Sequence, residues 1–420
     1  MTIKKIRING LFGIFNHEIK FNNPVVIIMG ENGVGKTITL KMIEAIFSRR
    51  LEYLMDKDFS EIIITFHKET WYITKRKDES QKYPETVIKI KTTRKEKEPM
   101  EVTLNQLLPR IPPLYIRESE NTWRNRRTDA ILSREDIMER FGAEALGLEY
   151  PDWYQHQCDQ NRVRLIKTQR LYQEMRHDEL QALSVKKYSD ELSSLMQEEI
   201  SKAAKSTGDL DRTFPKRLLK QMRSNRKYLA SDIISELHRL EKHRLELSDL
   251  GLLTETESND AIINELNEND STMLSVLHLY VKDSWEKLKC YDNLYDKLSL
   301  LKEIINSRYN HKTFTVDSIK GFVIYPSDTK EKEDNKGIPV EMLSSGEQNE
   351  LVLFYEMLFK CDCKDLILID EPEISLHLEW LQAMIGDLIK VSEKNNVSLL
   401  IATHSPDLVG ENYDLVQHLS

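Results

Sequence analysis

One glycine-rich segment limits the folds open to this chain of 420 residues more than any other feature of its sequence. The segment is Gly30-Glu31-Asn32-Gly33-Val34-Gly35-Lys36-Thr37. An apolar run from Val25 to Met29 precedes it, and apolar residues at helical spacing from Leu40 to Phe47 follow it. This pattern predicts a strand, a tight turn and a helix, in which backbone N–H groups and the helix N-terminus wrap a phosphate. The sequence therefore predicts an α/β fold with a phosphate-binding loop.

The phosphate-binding loop also carries the side chains that a triphosphate requires. Lys36 would neutralise the β- and γ-phosphates, and the Thr37 hydroxyl would bind Mg²⁺. A chance glycine-rich turn is the alternative, and the flanking strand and helix argue against it. We therefore expect ATP and Mg²⁺ as cofactors. The residues predicted to contact ATP in this segment are Asn32, Gly33, Val34, Gly35, Lys36, Thr37 and Ile38.

A second apolar run delivers two carboxylates near the other end of the chain. Leu366-Ile367-Leu368-Ile369 is followed at once by Asp370 and Glu371. Ligands of α/β sheets bind at the carboxyl ends of the strands, which is where this pair would lie. Asp370 would hold Mg²⁺, and Glu371 would orient and deprotonate an attacking water. A strand followed by a helix cap would give the same two residues. Asp370 and Glu371 are therefore assigned to the site because the chain also contains the phosphate-binding loop.

The segment Leu343-Ser344-Ser345-Gly346-Glu347-Gln348 places hydroxyls and a glycine at the predicted start of a helix. Such a helix N-terminus can form a second cradle for a phosphate. It also has an ordinary structural interpretation as a helix cap, with Ser345 as the capping residue and Gln348 completing the box. The two interpretations are compatible with each other.

This segment resembles the L-S-G-G-Q signature of ABC ATPases, in the S-S-G-E-Q form of the SMC, RecF and OLD-type enzymes. The resemblance implies that Ser344, Ser345, Gly346, Glu347 and Gln348 contact the ATP bound to an opposite subunit. Ile401-Ala402-Thr403-His404-Ser405 resembles the switch-histidine motif of the same group. This implies that His404 acts with Glu371 in catalysis by reaching the γ-phosphate or the attacking water, whereas a lone histidine after a strand is usually structural.

Gln169 matches the position of the Q-loop glutamine, which the family uses to link Mg²⁺ to the helical domain. It follows a candidate strand, Val163 to Ile166, and precedes predicted helices. A glutamine within a basic helix is the alternative interpretation of the same sequence. Gln169 is thus a candidate metal ligand, in addition to Thr37 and Asp370.

The resemblance implies a two-lobed ABC ATPase head, a P-loop NTPase of the α/β class, with an inserted helical or coiled-coil domain. The N-terminal lobe would span residues 1–172, with an antiparallel meander and an irregular insertion at about 104–160. Residues 173–310 form the helical insertion, and residues 311–420 form the C-terminal lobe. Apolar residues repeat at heptad positions from Leu274 to Ile305, which predicts a coiled-coil-like hairpin; a compact bundle explains the repeat nearly as well.

The composition and the N-terminal residues indicate the cellular compartment that we expect for the protein. No window holds the roughly 18 uninterrupted apolar residues of a membrane helix, and the first residues lack the apolar core of a signal peptide. We therefore expect a cytoplasmic protein with no membrane partner. Four cysteines are too few and too scattered for a disulfide framework. A net charge of −9 argues against a surface that is basic throughout but allows a local basic patch.

Within the ABC group, a head that stops soon after the switch histidine is similar to the ATPase subunits of the anti-phage systems PARIS and Septu. The resemblance implies a homo-oligomer built on a head-to-head dimer, in which ATP-driven closure controls a partner effector. A separate nuclease or toxin subunit and a phage-encoded trigger would complete such a system. OLD nucleases carry a TOPRIM domain after the head, and few residues follow His404 here.

Two other functions fit parts of the sequence. A DNA-repair or chromosome-maintenance ATPase of the RecF/SMC type would bind DNA, and basic stretches at 124–127 beside Trp123, 162–170 and 216–227 could contact phosphates. Solvated helix faces explain the same stretches. A nucleotide-binding structural protein with little turnover is the third hypothesis. The complete set of Lys36, Thr37, Asp370, Glu371 and His404 argues against it.

Overall fold

The computed structural model describes residues 2–78, 85–107, 111–119, 122–133, 137, 150–168, 184–223, 228–253, 270–327, 337–374, 376 and 378–419. Its strands are β1 (Ile3–Leu11), β2 (Phe15–Lys20), β3 (Val25–Met29), β4 (Glu61–Phe66), β5 (Thr70–Asp78), β6 (Glu85–Thr92), β7 (Met100–Thr103), β8 (Tyr115–Arg117), β9 (Thr122–Asn125), β10 (Ile131–Ser133), β11 (Val163–Ile166), β12 (Lys312–Asp317), β13 (Gly321–Pro326), β14 (Leu366–Asp370), β15 (Ser398–Thr403) and β16 (Val416–His418). Its α-helices are α1 (Lys36–Phe47), α2 (Glu52–Met55), α3 (Leu104–Leu107), α4 (Asp152–Gln160), α5 (Ser184–Met222), α6 (Ala230–Asp249), α7 (Ser271–Leu288), α8 (Asp292–Asn306), α9 (Ser345–Phe359), α10 (Leu378–Asn395) and α11 (Pro406–Val409).

The chain forms two compact units. The first unit joins Met1–Thr168 to Lys360–Ser420, and the second unit is Gln169–Phe359. The first unit therefore brings together the two ends of the sequence. The predicted division at residues 172 and 310 rests on the positions of motifs and stays a prediction.

A five-stranded parallel sheet organises the first unit, in the order β11-β14-β15-β3-β16. Its central strands are apolar on both faces, since β14 and β3 bury nearly every side chain. Parallel strands covered on both sides need such continuous apolar runs. All strands point the same way, so the segments that follow them meet at one edge of the sheet.

Helix α1 and a second sheet complete the core of the first unit. The antiparallel sheet has the order β2-β1-β4-β5-β6-β7, which confirms the predicted meander and adds the N-terminal hairpin to it. Leu40 and Ile43 of α1 share one buried cluster with Ile64 of β4 and Leu368 of β14. One face of α1 thus packs near the parallel sheet while other residues of the helix reach the antiparallel one. Burial of this apolar surface holds α1, and with it the phosphate-binding loop, in a fixed place.

The stretch at about 104–160, predicted to be irregular, contains regular structure. Strands β8, β9 and β10 form a small antiparallel sheet, and α4 follows it. These strands have only three or four residues each, too few for a recognisable alternation in the sequence. The ring of Trp123 is buried on one side of this sheet, and the hydroxyl of Tyr154 in α4 donates to the carbonyl of Ile46 in α1.

The second unit contains the predicted long helices. Helix α7 packs along both α5 and α6. Leu274 and Val281, two of the heptad residues, form a buried cluster with Ile233 and Leu237 of α6. The heptad stripe therefore marks a helix face that is buried in a bundle of at least these three helices.

The hairpin of β12 and β13 and the helix α9 form the rest of the second unit. Phe322 of β13 and Tyr188 of α5 both pack on Tyr355 of α9, with ring centroids 5.6 and 4.8 Å away. Helix α9 is buried almost all round, as expected for a helix without a polar face. Among the described residues, no helix combines the length and the apolar character needed to cross a bilayer.

Candidate functional site

The phosphate-binding loop lies between the end of β3 and the start of α1. Gly33 and Gly35 have φ angles of 92° and 89°, in the left-handed region that side chains disfavour. A Cβ on Gly35 would also come within 2.8 Å of the Leu11 side chain. Helix α1 begins at Lys36 with no side-chain cap, so its first N–H groups point toward the loop without such an acceptor. An uncapped N-terminus of this kind is suited to hold an anion.

Lys36 folds back over this loop. Its Nζ donates to the carbonyl oxygens of Gly30 at 2.7 Å and Glu31 at 3.0 Å. The side chain is almost fully buried, which holds the ammonium at the mouth of the loop. The charge therefore lies where the β- and γ-phosphates of a nucleotide would be placed by the loop.

His17 supports the loop from behind. Its Nδ1 lies 3.0 Å from the hydroxyl of Thr39, in the first turns of α1. Burial lowers the pKa of His17, and a backbone hydrogen bond with Val34 opposes this only in part. An uncharged ring at this point adds no positive charge to that of Lys36.

The Asp370 carboxylate accepts hydrogen bonds from two hydroxyl groups, each of which lies beyond the end of another strand. The Thr37 hydroxyl lies 3.0 Å from both carboxylate oxygens, and the Thr168 hydroxyl donates to one of them at 2.8 Å. Thr37 follows β3, Thr168 follows β11 and Asp370 ends β14, so the parallel sheet is what brings the three together. Asp370 is only 4% exposed.

Glu371 has an unusual backbone conformation. Its φ angle is 46°, in the left-handed region, and its N–H donates to the carbonyl of Ala402 in the neighbouring strand β15. Non-glycine residues in this region cost about 1 kcal/mol or more and concentrate at functional sites. The conformation turns Glu371 out of the sheet directly after Asp370. The two carboxylates consequently take different positions although they are adjacent in sequence.

His404 follows β15 at the same edge of the sheet. Its Nδ1 lies 3.5 Å from a carboxylate oxygen of Glu371 and 3.4 Å from one of Glu373. The ring is partly exposed, so one side faces carboxylates and the rest is accessible. The structure thus brings together the predicted residues Lys36, Thr37, Asp370, Glu371 and His404 within one unit.

The residues at this edge fit Mg²⁺ with a nucleotide phosphate. A hydroxyl and a carboxylate already converge within hydrogen-bond distance, and both are hard oxygen ligands of the type that Mg²⁺ prefers. Magnesium keeps several waters and takes its other ligands from one or two side chains and the phosphates. Thr37 and Asp370 would therefore hold the ion. Gln169, the third predicted ligand, lies outside the described residues.

The predicted signature residues lie at the start of α9 in the second unit. Ser344 and Glu347 form the capping box: the Glu347 carboxylate accepts from the Ser344 N–H at 2.8 Å and from its hydroxyl at 2.9 Å. The prediction that Ser345 caps the helix and Gln348 completes the box was wrong by one residue. Gln348 instead donates its amide to the carbonyls of Glu341 and Leu343. The helix begins one residue earlier than the pattern indicated, and Glu347 has a charged partner besides Ser344.

That partner is Lys312 of β12, whose Nζ lies 2.7 and 2.9 Å from the two oxygens of Glu347. Burial acts to raise the pKa of Glu347, but the hydrogen bonds from Lys312 and Ser344 outweigh it and hold the pKa below its ordinary value. Ser344 and Ser345 are both exposed at the helix N-terminus, and Gly346 is buried behind them. The two serines at the N-terminal end of α9 are therefore exposed to solvent, while the Glu347 side chain faces inward.

Two residues at the sheet edge make contacts with the site that the sequence did not predict. Thr168 contacts Asp370, and Glu373 contacts the segment Thr403–His404. The only sequence signal was their position just after apolar strands, which many surface residues share.

No curated protein matches the sequence. Among solved structures, the Smc head domain with an extended coiled coil, bound to the C-terminal domain of ScpA from Pyrococcus furiosus, is 12% identical; the match covers 97% of this chain and 91% of that chain, with a TM-score of 0.35. The SmcHead bound to the C-winged helix domain of ScpA is 9% identical over 97% of this chain and 91% of that chain, also with a TM-score of 0.35.

The family comparison covers nearly the whole sequence. The AAA ATPase domain matches residues 1–409, a range that contains the phosphate-binding loop, Asp370 and His404. The predicted α/β P-loop ATPase fold is thereby confirmed, together with the long helix α5 that the predicted helical insertion required. This chain belongs to the AAA ATPase domain family.

Proposed function

We propose that this protein binds ATP with Mg²⁺ and hydrolyses it at the carboxyl edge of the parallel sheet. The observation that supports this most strongly is the contact of the Thr37 hydroxyl with Asp370, since these residues come from opposite ends of the chain. Bound Mg²⁺ would neutralise charge on the phosphates. Lys36 would hold the β- and γ-phosphates, and Glu371 would orient the attacking water and accept its proton. His404, beside Glu371, would contact the γ-phosphate.

Two variants test the proposed hydrolysis. Glu371→Gln should bind ATP with unchanged affinity but release phosphate about 100-fold more slowly or worse, the range lost when a general base is removed. Lys36→Ala should lose ATP affinity because the phosphates lose their charged partner. Glu379→Gln, which removes an exposed carboxylate in the first turn of α10, is the matched control and should behave like the native protein. Undiminished turnover in Glu371→Gln would remove this residue from its role.

The coupling mechanism that we propose is closure of two copies over shared nucleotides. Ser344 to Gln348 of one copy would contact the ATP bound to the phosphate-binding loop of the other. The exposed serines at the uncovered end of α9 support this role, because hydroxyls and N–H groups at a helix N-terminus can bind the γ-phosphate. ATP would then favour the closed dimer, and hydrolysis would release it.

For the cellular role, we propose a sensor and scaffold subunit of an anti-phage system that controls a separate nuclease or toxin subunit. The S-S-G-E-Q form of the signature and the helical insertion are compatible with this proposal, and equally with the DNA-binding alternative below. Purification of the chain together with the protein encoded by the neighbouring reading frame tests it. A stoichiometric complex with a small nuclease is the expected result, and a chain that purifies alone beside an unrelated neighbour contradicts it.

The alternative is a DNA-binding ATPase of the repair or chromosome-maintenance type. Several of the arginines that suggested it are paired with carboxylates: Arg124 with Glu118, Arg162 with Asp362, and Arg217 with Asp283. Trp123 is 2% exposed, so its ring is not available to stack on a base. Salt-sensitive binding of duplex DNA would favour this alternative, since neutralised phosphates release counterions.

A further inference from the structure

The second glutamate of the sequence Glu371-Pro372-Glu373 has no role in the hydrolysis described above. Glu373 is 8% exposed and follows β14, whereas its contacts lie on the neighbouring strand end. A buried carboxylate is costly unless it is hydrogen-bonded, so the groups that surround it explain why it is retained in the fold.

One oxygen of Glu373 holds the end of β15. The hydroxyl of Thr403 donates to Oε1 at 2.5 Å, and the backbone N–H of His404 donates to the same atom at 3.2 Å. The Nδ1 atom of the His404 ring lies 3.4 Å away from it. Three groups of two consecutive residues therefore surround a single carboxylate oxygen.

This arrangement acts on the protonation of the His404 ring. A carboxylate beside one ring nitrogen favours the tautomer that carries its proton there, and it also limits rotation of the ring. With the proton on Nδ1, the other nitrogen, Nε2, has a free lone pair on the opposite side of the ring. Glu371 is the other charged side chain of the described residues that faces Nδ1, at 3.5 Å.

Glu373 is better fixed for this task than Glu371. Its Oε1 is tied to the backbone and to a buried hydroxyl, whereas Glu371 is more exposed and is proposed to engage water during hydrolysis. The second oxygen of Glu373, Oε2, is buried without a hydrogen-bond partner in the described part of the chain. A carboxylate held on one oxygen only keeps its negative charge concentrated beside the histidine.

We infer that Glu373 is a positioning residue, which fixes the ring orientation and the Nδ1-protonated tautomer of His404 and so aims Nε2 at the nucleotide. The inference rests on the proposed ATP hydrolysis for its kinetic consequence. Its structural part, the tautomer, does not depend on hydrolysis.

The test combines nuclear magnetic resonance with kinetics on the full chain. Histidine labelled with ¹⁵N reports which ring nitrogen carries the proton, and the signals of His404 are those that disappear in His404→Gln. The native protein, Glu373→Gln, Glu373→Ala, Glu371→Gln and the exposed control Glu379→Gln are compared without nucleotide. The rate of phosphate release and the affinity for ATP are measured on the same proteins.

We expect the Nδ1-protonated form in the native protein, in Glu371→Gln and in Glu379→Gln. Glu373→Gln keeps an oxygen acceptor without the charge, so it should shift partly to the other tautomer, and Glu373→Ala should shift further. Hydrolysis should fall about 10- to 100-fold in Glu373→Ala, the range seen when a group that orients a ligand residue is removed. Glu373→Gln should retain part of the rate, and ATP affinity should stay unchanged in both.

Three results would overturn the inference: an Nε2-protonated ring in the native protein, unaltered His404 signals in both Glu373 variants, or a shift that occurs in Glu371→Gln instead. If Glu373→Ala fails to fold, Glu373→Gln alone decides the outcome, because its side chain has the same shape. If the Glu373 variants shift the tautomer as expected but the native protein does not hydrolyse ATP, the proposed ATPase is contradicted and the positioning of His404 by Glu373 is still confirmed.

Discussion

Asp370 is the residue that side chains from the neighbouring strand ends contact at the edge of the parallel sheet. It accepts from Thr37 on one side and from Thr168 on the other, and its own strand ends at its carboxylate. Two hydroxyl donors hold the carboxylate in one orientation before any cation arrives. A preorganised ligand of this kind has less conformational freedom to lose when a cation binds.

Loss of the Thr168 hydroxyl should weaken the binding of Mg²⁺ by Asp370. Thr168→Val keeps the shape of the side chain but removes the hydroxyl, so Asp370 loses one of its two orienting donors. The Mg²⁺ concentration for half-maximal ATP hydrolysis should rise about 10-fold or more, as for other residues that orient a metal ligand. Titration of the hydrolysis rate with Mg²⁺ at saturating ATP measures it.

Thr128→Val is the control for Thr168→Val, since Thr128 is exposed in the turn between β9 and β10. It should leave the Mg²⁺ dependence unchanged. If Thr168→Val shows the native Mg²⁺ dependence, the hydroxyl of Thr168 has no part in orienting Asp370.

At the scale of elements, the start of α9 is stabilised by a capping box that also contains an ion pair. Glu347 is 7% exposed and receives hydrogen bonds from Ser344 and Lys312. The box links a helix N-terminus to strand β12, whereas an isolated capping box would satisfy only the helix. The segment that carries the signature residues is therefore anchored to the rest of its unit.

Removal of the Glu347 side chain should destabilise the second unit. Glu347→Ala loses the cap and leaves Lys312 without its carboxylate, which together should lower the free energy of unfolding by about 1 to 2 kcal/mol. Glu347→Gln can still complete a capping box and should lose less. Urea unfolding followed by circular dichroism measures both, with the exposed Glu341→Gln as the control. Equal stability of all the variants would show that the box is not stabilising.

The contribution of Glu347 should depend on pH. Its pKa in the folded protein lies below the ordinary value of 4.5, so its stabilising effect is fully present above that value. It should disappear as the pH falls through the lower folded pKa, where the carboxylate becomes protonated in both states. The stability difference between native protein and Glu347→Gln should accordingly be constant above pH 4.5 and shrink below it. A difference that grows on acidification has the opposite sign and would contradict this assignment.

At the scale of the whole molecule, the proposed closure predicts an ATP-dependent dimer. Glu371→Gln, which should retain ATP, is expected to sediment as a dimer with ATP and as a smaller species with ADP. Adding Ser345→Arg places a bulky cation at the exposed end of α9 and should abolish the dimer. Ser271→Arg, at an exposed position in the bundle of the second unit, is the matched control and should still dimerise. A dimer that persists in the Ser345→Arg protein would exclude this end of α9 from the interface.

Much of the site could be predicted because its parts are local patterns. Gly30 to Thr37 is recognisable since the turn needs glycines at fixed positions, and the observed positive φ angles at Gly33 and Gly35 show this requirement. Strands β3 and β14 were predicted near their observed bounds because buried parallel strands are continuous apolar runs. The small sheet of β8 to β10 was missed because strands of three or four residues carry no periodicity.

The sequence by itself determined the nucleotide-binding loop, the α/β class, the strand that ends in Asp370 and the strand that precedes His404, because each depends on the order of neighbouring residues. Only the tertiary structure decided which side chains from distant segments meet. The contacts of Thr168 with Asp370 and of Glu373 with His404 are not visible in the sequence, and they form because parallel strands place their carboxyl ends at one edge. The capping box of α9 likewise involves a distant segment, since Lys312 of β12 contacts its Glu347.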